Sequence, residues 1–205
     1  YKQRQFEGAA TEFKKLVQHD PLYEAGYRVL GDCYLKLKKF EDASDAFEKA
    51  VELDPGNFTS AQGLAMARYN LEDYDGAITA LSKSESLAKS PPQKYQLLHI
   101  RGSAYYQSGE FAKAVPDLTQ AIAIQRGNFA DILQLGISCY RLDRLAEARE
   151  YLEQAAGINP DSREAADFLG RVSFKLGNEA LKQKDYSQAA RLFTTSIKGN
   201  PEDGD

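Results

Sequence analysis

This sequence lacks long apolar runs and a surplus of positive charge, and it has only two histidines. No stretch approaches the about 18 consecutive apolar residues of a membrane span, so membrane insertion is not expected. The opening residues, YKQRQFEG, hold no apolar run of the kind a signal peptide needs. Lysine and arginine number 26 against 30 aspartates and glutamates, a net charge of −4. Sequence-independent nucleic-acid binding needs a basic face, so this balance argues against it. The two histidines, His19 and His99, have no metal-ligand spacing to each other or to the two cysteines, Cys33 and Cys139. P-loop, dinucleotide-fingerprint and serine-elbow motifs are missing. Neither a cofactor nor a catalytic centre is expected. Paired carboxylates such as Glu41-Asp42 read as helix starts, where they favour the helix dipole.

What the chain does have is periodicity. In the stretch EAGYRVLGDCYLKLKKFEDASDAFEKAVELDPGN, residues 24–57, Tyr27, Leu30, Gly31 and Tyr34 form one helical stripe. Phe40, Ala43, Phe47 and Ala50 form a second, and Asp54-Pro55-Gly56-Asn57 then ends the helix. Each stripe is the buried face of an amphipathic helix.

The same register runs through most of the chain. Counting back from Pro21, Phe6, Ala9 and Phe13 sit on the second helix of a preceding unit, with Tyr1 the last trace of its first helix. From Phe58 come Ala61, Leu64 and Ala65, then Tyr74, Ala77, Leu81 and Ser84, a weaker match because Arg68 stands where Tyr34 stood. Ser90-Pro91-Pro92, a serine cap before a first-turn proline, predicts a helix beginning near Pro91 and a unit three residues longer than the rest. From Tyr95, Leu98, Gly102, Tyr105, Phe111, Ala114, Leu118 and Ala121 return in phase, with Pro116 inside the second helix, where it should bend it. From Phe129 the pattern is clean to Pro160.

Then two registers compete. Leu169-Gly170 fits a helix starting at Arg163, and Leu176-Gly177 fits one starting seven residues later; Tyr186, Ala189, Phe193 and Pro201 fit only the later frame. Seven residues are nearly two full turns, so both sets share one face. One long helix from about Ser162 to Lys184 is predicted, the alternative being a break at Gly170. The units are therefore a partial repeat over 1–23, repeats over 24–57, 58–94, 95–128 and 129–162, and an extended repeat over 163–203. The two cysteines lie about three units apart, beyond disulfide reach in a rod-like array, and both sit at packing positions. The chain starts inside a repeat and ends without a polar capping helix, so it reads as a piece of a longer protein.

An aromatic, Leu-Gly, Tyr, Ala, Phe, Ala and a closing proline in a 34-residue unit resemble the tetratricopeptide repeat. The resemblance implies an all-α, right-handed superhelical solenoid of stacked antiparallel helix pairs, whose first helices line a concave groove. It also implies that the second, fifth, sixth, ninth, twelfth and thirteenth residues of each unit face that groove. The binding residues expected on this basis are Arg28, Gln62, Met66, Tyr69, Asn70, His99, Tyr106, Ile137, Tyr140, Arg141, Lys175 and Asn178. Asp32, Lys36, Gln96, Ser103, Leu133, Gln134, Arg171 and Lys182 fall on the same face.

Two features of that face stand out. Tyr69, Tyr106 and Tyr140 recur at one position, suited either to peptide recognition or to packing. Six groove positions are basic (Arg28, Lys36, Arg141, Arg171, Lys175 and Lys182) and one, Asp32, is acidic. A basic groove on an acidic protein would steer acidic peptides, unless the charges are only a solvated helix face. The family's carboxylate clamp is not matched, since Phe174 stands where the clamp wants lysine before Asn178. The reading is a non-catalytic protein–protein interaction scaffold that holds a partner peptide or protein segment, an acidic one, in its groove. The alternative is a self-assembly or spacer module, a homo-oligomer stacked through open end faces.

Overall fold

The computed structural model describes residues 2–199; Tyr1, Pro201 and the end of the last expected repeat lie outside the described residues. Among the described residues the chain forms eleven α-helices and one 3-10 turn, with no strand. It divides into two compact units, residues 1–108 and 109–205.

The first unit contains α1 (Lys2–His19), α2 (Glu24–Lys36), α3 (Phe40–Leu53), α4 (Phe58–Asn70), α5 (Tyr74–Lys83) and α6 (Pro91–Gln107). Each helix packs on the next, and the first helices α2, α4 and α6 touch one another in succession. Phe47 is fully buried, and the glycines around it explain how the helices come so close. A Cβ on Gly31 of α2 would stand 2.8 Å from its ring, and one on Gly63 of α4 only 2.2 Å. Phe47 therefore wedges between two backbones that only glycine leaves open. Leu30, Cys33, Ala10, Val17 and Ala46 form the adjoining core, with Tyr27 and Tyr34 packed against it. Burial pushes the Cys33 thiol up, as expected of a small core hydrophobe.

Polar ties fix the repeat-to-repeat spacing. Glu24 Oε1 accepts from Ser60 Oγ at 2.7 Å and from Asn57 Nδ2 at 3.3 Å, while Asn57 Oδ1 accepts from the Thr59 and Ser60 N–H groups to cap α4. Arg68, the departure from the tyrosine pattern, reaches back to Glu48 of α3 at 2.8 Å, so an ion pair stands where the ring would pack. The lengthened third repeat is absorbed by the 3-10 turn Glu85–Leu87 and by a capping box, in which Ser90 Oγ accepts from Gln93 N–H. The extended helix starts at Pro91, as predicted.

The second unit contains α7 (Phe111–Ile124), α8 (Phe129–Arg141), α9 (Leu145–Ile158), α10 (Arg163–Lys182) and α11 (Tyr186–Gly199). Pro116 lies in the second turn of α7, which continues through it unbroken. α10 runs 20 residues without a break at Gly170, capped by Ser162 Oγ accepting from Ala165 N–H at 3.2 Å. Both registers of the sequence are used. It packs on α8, α9 and α11, and its second half places Gly177 against the Phe193 ring of α11. A Cβ on Gly177 would stand 2.7 Å from that ring, reproducing the Gly31–Phe47 contact; Gly136 meets Leu152 of α9 the same way at 2.9 Å.

The turns between first and second helices share one device. The residue after the C-cap of α2, α4, α8 and α10 has positive φ: Lys38 57°, Glu72 61°, Asp143 59° and Lys184 64°. In each, the next N–H donates to the carbonyl five residues earlier, as Lys39 N–H does to Tyr34 O at 2.9 Å and Arg144 N–H to Cys139 O at 2.9 Å. This is the Schellman closure, here built largely without glycine.

Candidate functional site

The first-helix face of unit one opens into a cleft between α2 and α4 of about 410 Å³. Asp32, Lys36 and Lys38 line one wall, Gln62, Met66 and Asn70 the other, over Leu35, Phe40 and Gly63. Met66 is 38% exposed, a large apolar side chain held at the cleft surface. Desolvation pushes the Asp32 carboxyl up, although Arg28 and Lys36 pull it the other way. Arg28 itself faces Glu24 at 3.7 Å, too long for a hydrogen bond, and its buried Nε has no hydrogen-bond partner. Gln62 Nε2 donates to Gln96 Oε1 at 3.3 Å, joining α4 to α6.

Of the tyrosines and histidine on this face, Tyr69 packs edge-on against Tyr74 of α5 with ring centroids 5.5 Å apart. His99 stacks on Tyr95, one turn before it, at 5.5 Å. Tyr106 is half-buried.

Unit two concentrates aromatic rings and cations. Tyr140 of α8 meets Phe168 of α10 edge-on, centroids 5.6 Å apart. The guanidinium groups of Arg141 and Arg171 each lie 5.6 Å from the Phe168 centroid, and Lys175 Nζ lies 4.9 Å over Tyr140. Two carboxylates enter the cluster: Asp143 holds Lys175 at 2.9 Å, and Asp167 holds Arg171 at 3.0 Å. The Asp143 hydrogen bond also raises the Lys175 pKa.

This alternation of helix pairs has family relatives. Three tetratricopeptide-repeat family models match, over residues 25–57, 63–130 and 105–172. The chain belongs to the tetratricopeptide-repeat family. Repeats of this family support a protein-interaction scaffold, and the matches run through both units. Among curated proteins the chain is similar to human RNA polymerase II-associated protein 3, 29% identical over 126 residues. It is also similar to Escherichia coli K12 lipopolysaccharide assembly protein B, 26% identical over 133 residues. These matches cover 62% and 64% of the chain but only 18% and 31% of those proteins. Among solved structures it resembles YrrB, described as a tetratricopeptide-repeat protein with an unusual peptide-binding site, with TM-score 0.74 and 18% identity over 95% of each chain. It also resembles MamA from Desulfovibrio magneticus RS-1, with TM-score 0.68 and 18% identity over 89% of this chain and 97% of that one. At these identities the structural likeness establishes the fold.

In the tetratricopeptide frame two clusters of expected groove residues form. Gln62, Met66 and Asn70 come together in the α2–α4 cleft, and Tyr140, Arg141 and Lys175 come together on the Phe168 platform. Asn178 is half-buried on α10, beyond the platform. Ile137 is a correction: it is only 1% exposed, so its side chain serves the packing of unit two and offers a partner no surface. Phe168 was not among the expected residues. The later register, which α11 obeys, puts it before the repeat begins; the earlier register puts it sixth, a groove position. Lys175 and Arg171 are basic as expected, yet each already faces a carboxylate: Asp143 lies off the expected positions, and Asp167 is the fifth residue of the earlier register, which adds acidic groove positions.

Among the described residues, no three of His, Cys, Asp and Glu gather where they could hold a metal ion. Cys139 is fully buried, and burial pushes its thiol up, away from the thiolate a nucleophile requires. No helix among the described residues is long and apolar enough to cross a membrane.

Proposed function

We propose that this chain is a non-catalytic scaffold whose first helices hold an extended segment of a partner protein, an acidic one. The observation that carries this reading is the platform of unit two, where three cations sit on two rings of adjacent first helices. Rings hold the cations in place at little further entropy cost, so an incoming carboxylate meets a formed site. In unit one the α2–α4 cleft supplies the apolar complement, with Met66, Leu35 and Phe40 able to take one bulky side chain.

The Arg141→Glu, Lys175→Glu double variant tests it. We expect binding of an acidic partner peptide to weaken at least about 100-fold, since two attractive contacts become repulsive. Helicity should stay unchanged by circular dichroism, because both side chains are exposed. Unchanged affinity would remove charge recognition from the account.

A second reading, self-association, is favoured by one observation. α10 and α11 leave Phe174 54%, Leu181 42%, Tyr186 66% and Ile197 58% exposed, more apolar surface than scattered single residues would give. Static light scattering over a concentration series separates the two readings. Self-association predicts a molar mass that rises with concentration, and a constant monomer mass to millimolar concentration removes it.

A further inference from the structure

We infer that a hollow between α1 and α3, on the side of α2 turned away from the groove, is a second docking surface that takes an arginine side chain of a partner protein. This goes beyond the scaffold reading above, since no residue of the hollow belongs to the groove. The hollow measures about 450 Å³. Tyr27, Leu30 and Tyr34 line it from α2, on the opposite face of that helix from Arg28 and Asp32. Val17 of α1 and Leu30 are buried and give it an apolar base, beside the half-buried Tyr27 and Tyr34.

The charge of the hollow selects the occupant. Asp42 and Asp45 of α3 both line it, and three residues apart they share one face of their helix. Both are exposed, and neither has an ion pair or hydrogen bond among the described residues. By contrast, Glu48 and Glu52 of the same helix are met by Arg68 and Lys49, each at 2.8 Å. Asp42 also favours the dipole of α3 from its first turn, but Asp45 stands beyond that turn and has no such role. Burial and the nearby Asp42 carboxylate push the Tyr34 phenol up, in keeping with a ring and a carboxylate side by side. Among the described residues lining the hollow, Lys14 is the one cation, which leaves a negative charge unanswered there. An arginine matches each of these features. Its apolar stem covers Val17 and Leu30, and its weakly hydrated guanidinium stacks on a tyrosine while its fork reaches carboxylates. A lysine ammonium is more strongly hydrated and has no fork.

The test uses the whole chain, labelled with ¹³C, and four probes at fixed ionic strength: acetyl-Gly-Gly-Arg-Gly-Gly-amide, its citrulline and Lys counterparts, and acetyl-arginine-amide. Carboxylate signals of Asp42 and Asp45 and ring signals of Tyr27 and Tyr34 report the site. We expect the Arg peptide to shift all four and to saturate at least about five-fold below the Lys peptide, with no response to the citrulline peptide. Asp42→Asn and Asp45→Asn should each weaken binding at least about five-fold, with helicity unchanged because both residues are exposed. Lys14→Met should tighten binding, because it removes a competing cation. Equal saturation by the citrulline peptide, or full affinity in both Asn variants, would overturn recognition of a cation. Equal saturation by the Lys peptide would overturn the choice of arginine. Equal saturation by acetyl-arginine-amide would make this a free-guanidinium site and overturn the docking assignment. Weaker binding by Lys14→Met, shifts spread over Glu41, Glu48 and Glu52, or no shift at all would overturn the site itself.

Discussion

Gly63 illustrates how much of this molecule turns on single atoms. In a helix interior, glycine costs about 1 kcal/mol relative to alanine, so Gly63→Ala should help on propensity alone. Yet the added methyl carbon would stand 2.2 Å from the ring of Phe47, which is fully buried and has nowhere to go. Overpacking of this kind costs about 1–3 kcal/mol, so the clash wins. Gly63→Ala should lower the urea midpoint, and Phe47→Leu should restore most of the loss when combined with it. Additive losses in the double variant would refute the wedge. In the sequence Gly63 lies at the sixth, groove-facing position of its unit, which hides its packing role. Phe47 itself was legible as core, since it continues the stripe begun by Phe40 and Ala43. Ile137 misled in the opposite sense: its position matched the groove, but burial depends on neighbouring helices that position alone does not describe.

At the scale of the helix, the four left-handed residues that end α2, α4, α8 and α10 are the clearest stored strain. An L-residue in that conformation costs about 1–2 kcal/mol, while glycine there loses about 0.5–1 kcal/mol of entropy from the unfolded chain. Lys38→Gly, Glu72→Gly and Lys184→Gly should therefore each stabilise by about 0.5–1 kcal/mol in chemical denaturation. Asp143→Gly should gain less, because it also gives up the Lys175 ion pair. A loss of stability in all of the first three would show that side-chain contacts, and not strain, set these turns. Nothing in a lysine or glutamate signals positive φ, so the turn type was not legible, although the turn positions were. α10 was legible for a physical reason. Its two Leu-Gly pairs are seven residues apart and share a face, so one helix satisfies both registers, and it does so over Arg163–Lys182. The platform was only half legible: Tyr140, Arg141 and Lys175 follow from repeat position, whereas Lys175 and Asp143 are 32 residues apart and their pairing emerges only on folding.

Over the whole chain, the balance between net charge and local charge decides what can bind. The protein carries −4 overall, yet its acidic residues are spread over helix starts and second helices. Of the six basic first-helix positions, Arg28, Arg171 and Lys175 face carboxylates, which reduces the surplus that composition suggests. What remains is local: cations and two of their carboxylates gathered around two rings in unit two, and a mixed apolar and charged cleft in unit one. On the proposed reading such an arrangement would favour an acidic segment. The most direct measurement is backbone hydrogen exchange of the full chain with and without an acidic twelve-residue peptide selected against it from a display library. The account predicts that protection on binding falls on the first helices, α4, α8 and α10 above all, and leaves α3, α5 and α9 unchanged. Protection concentrated on α3, α5 and α9 would contradict it.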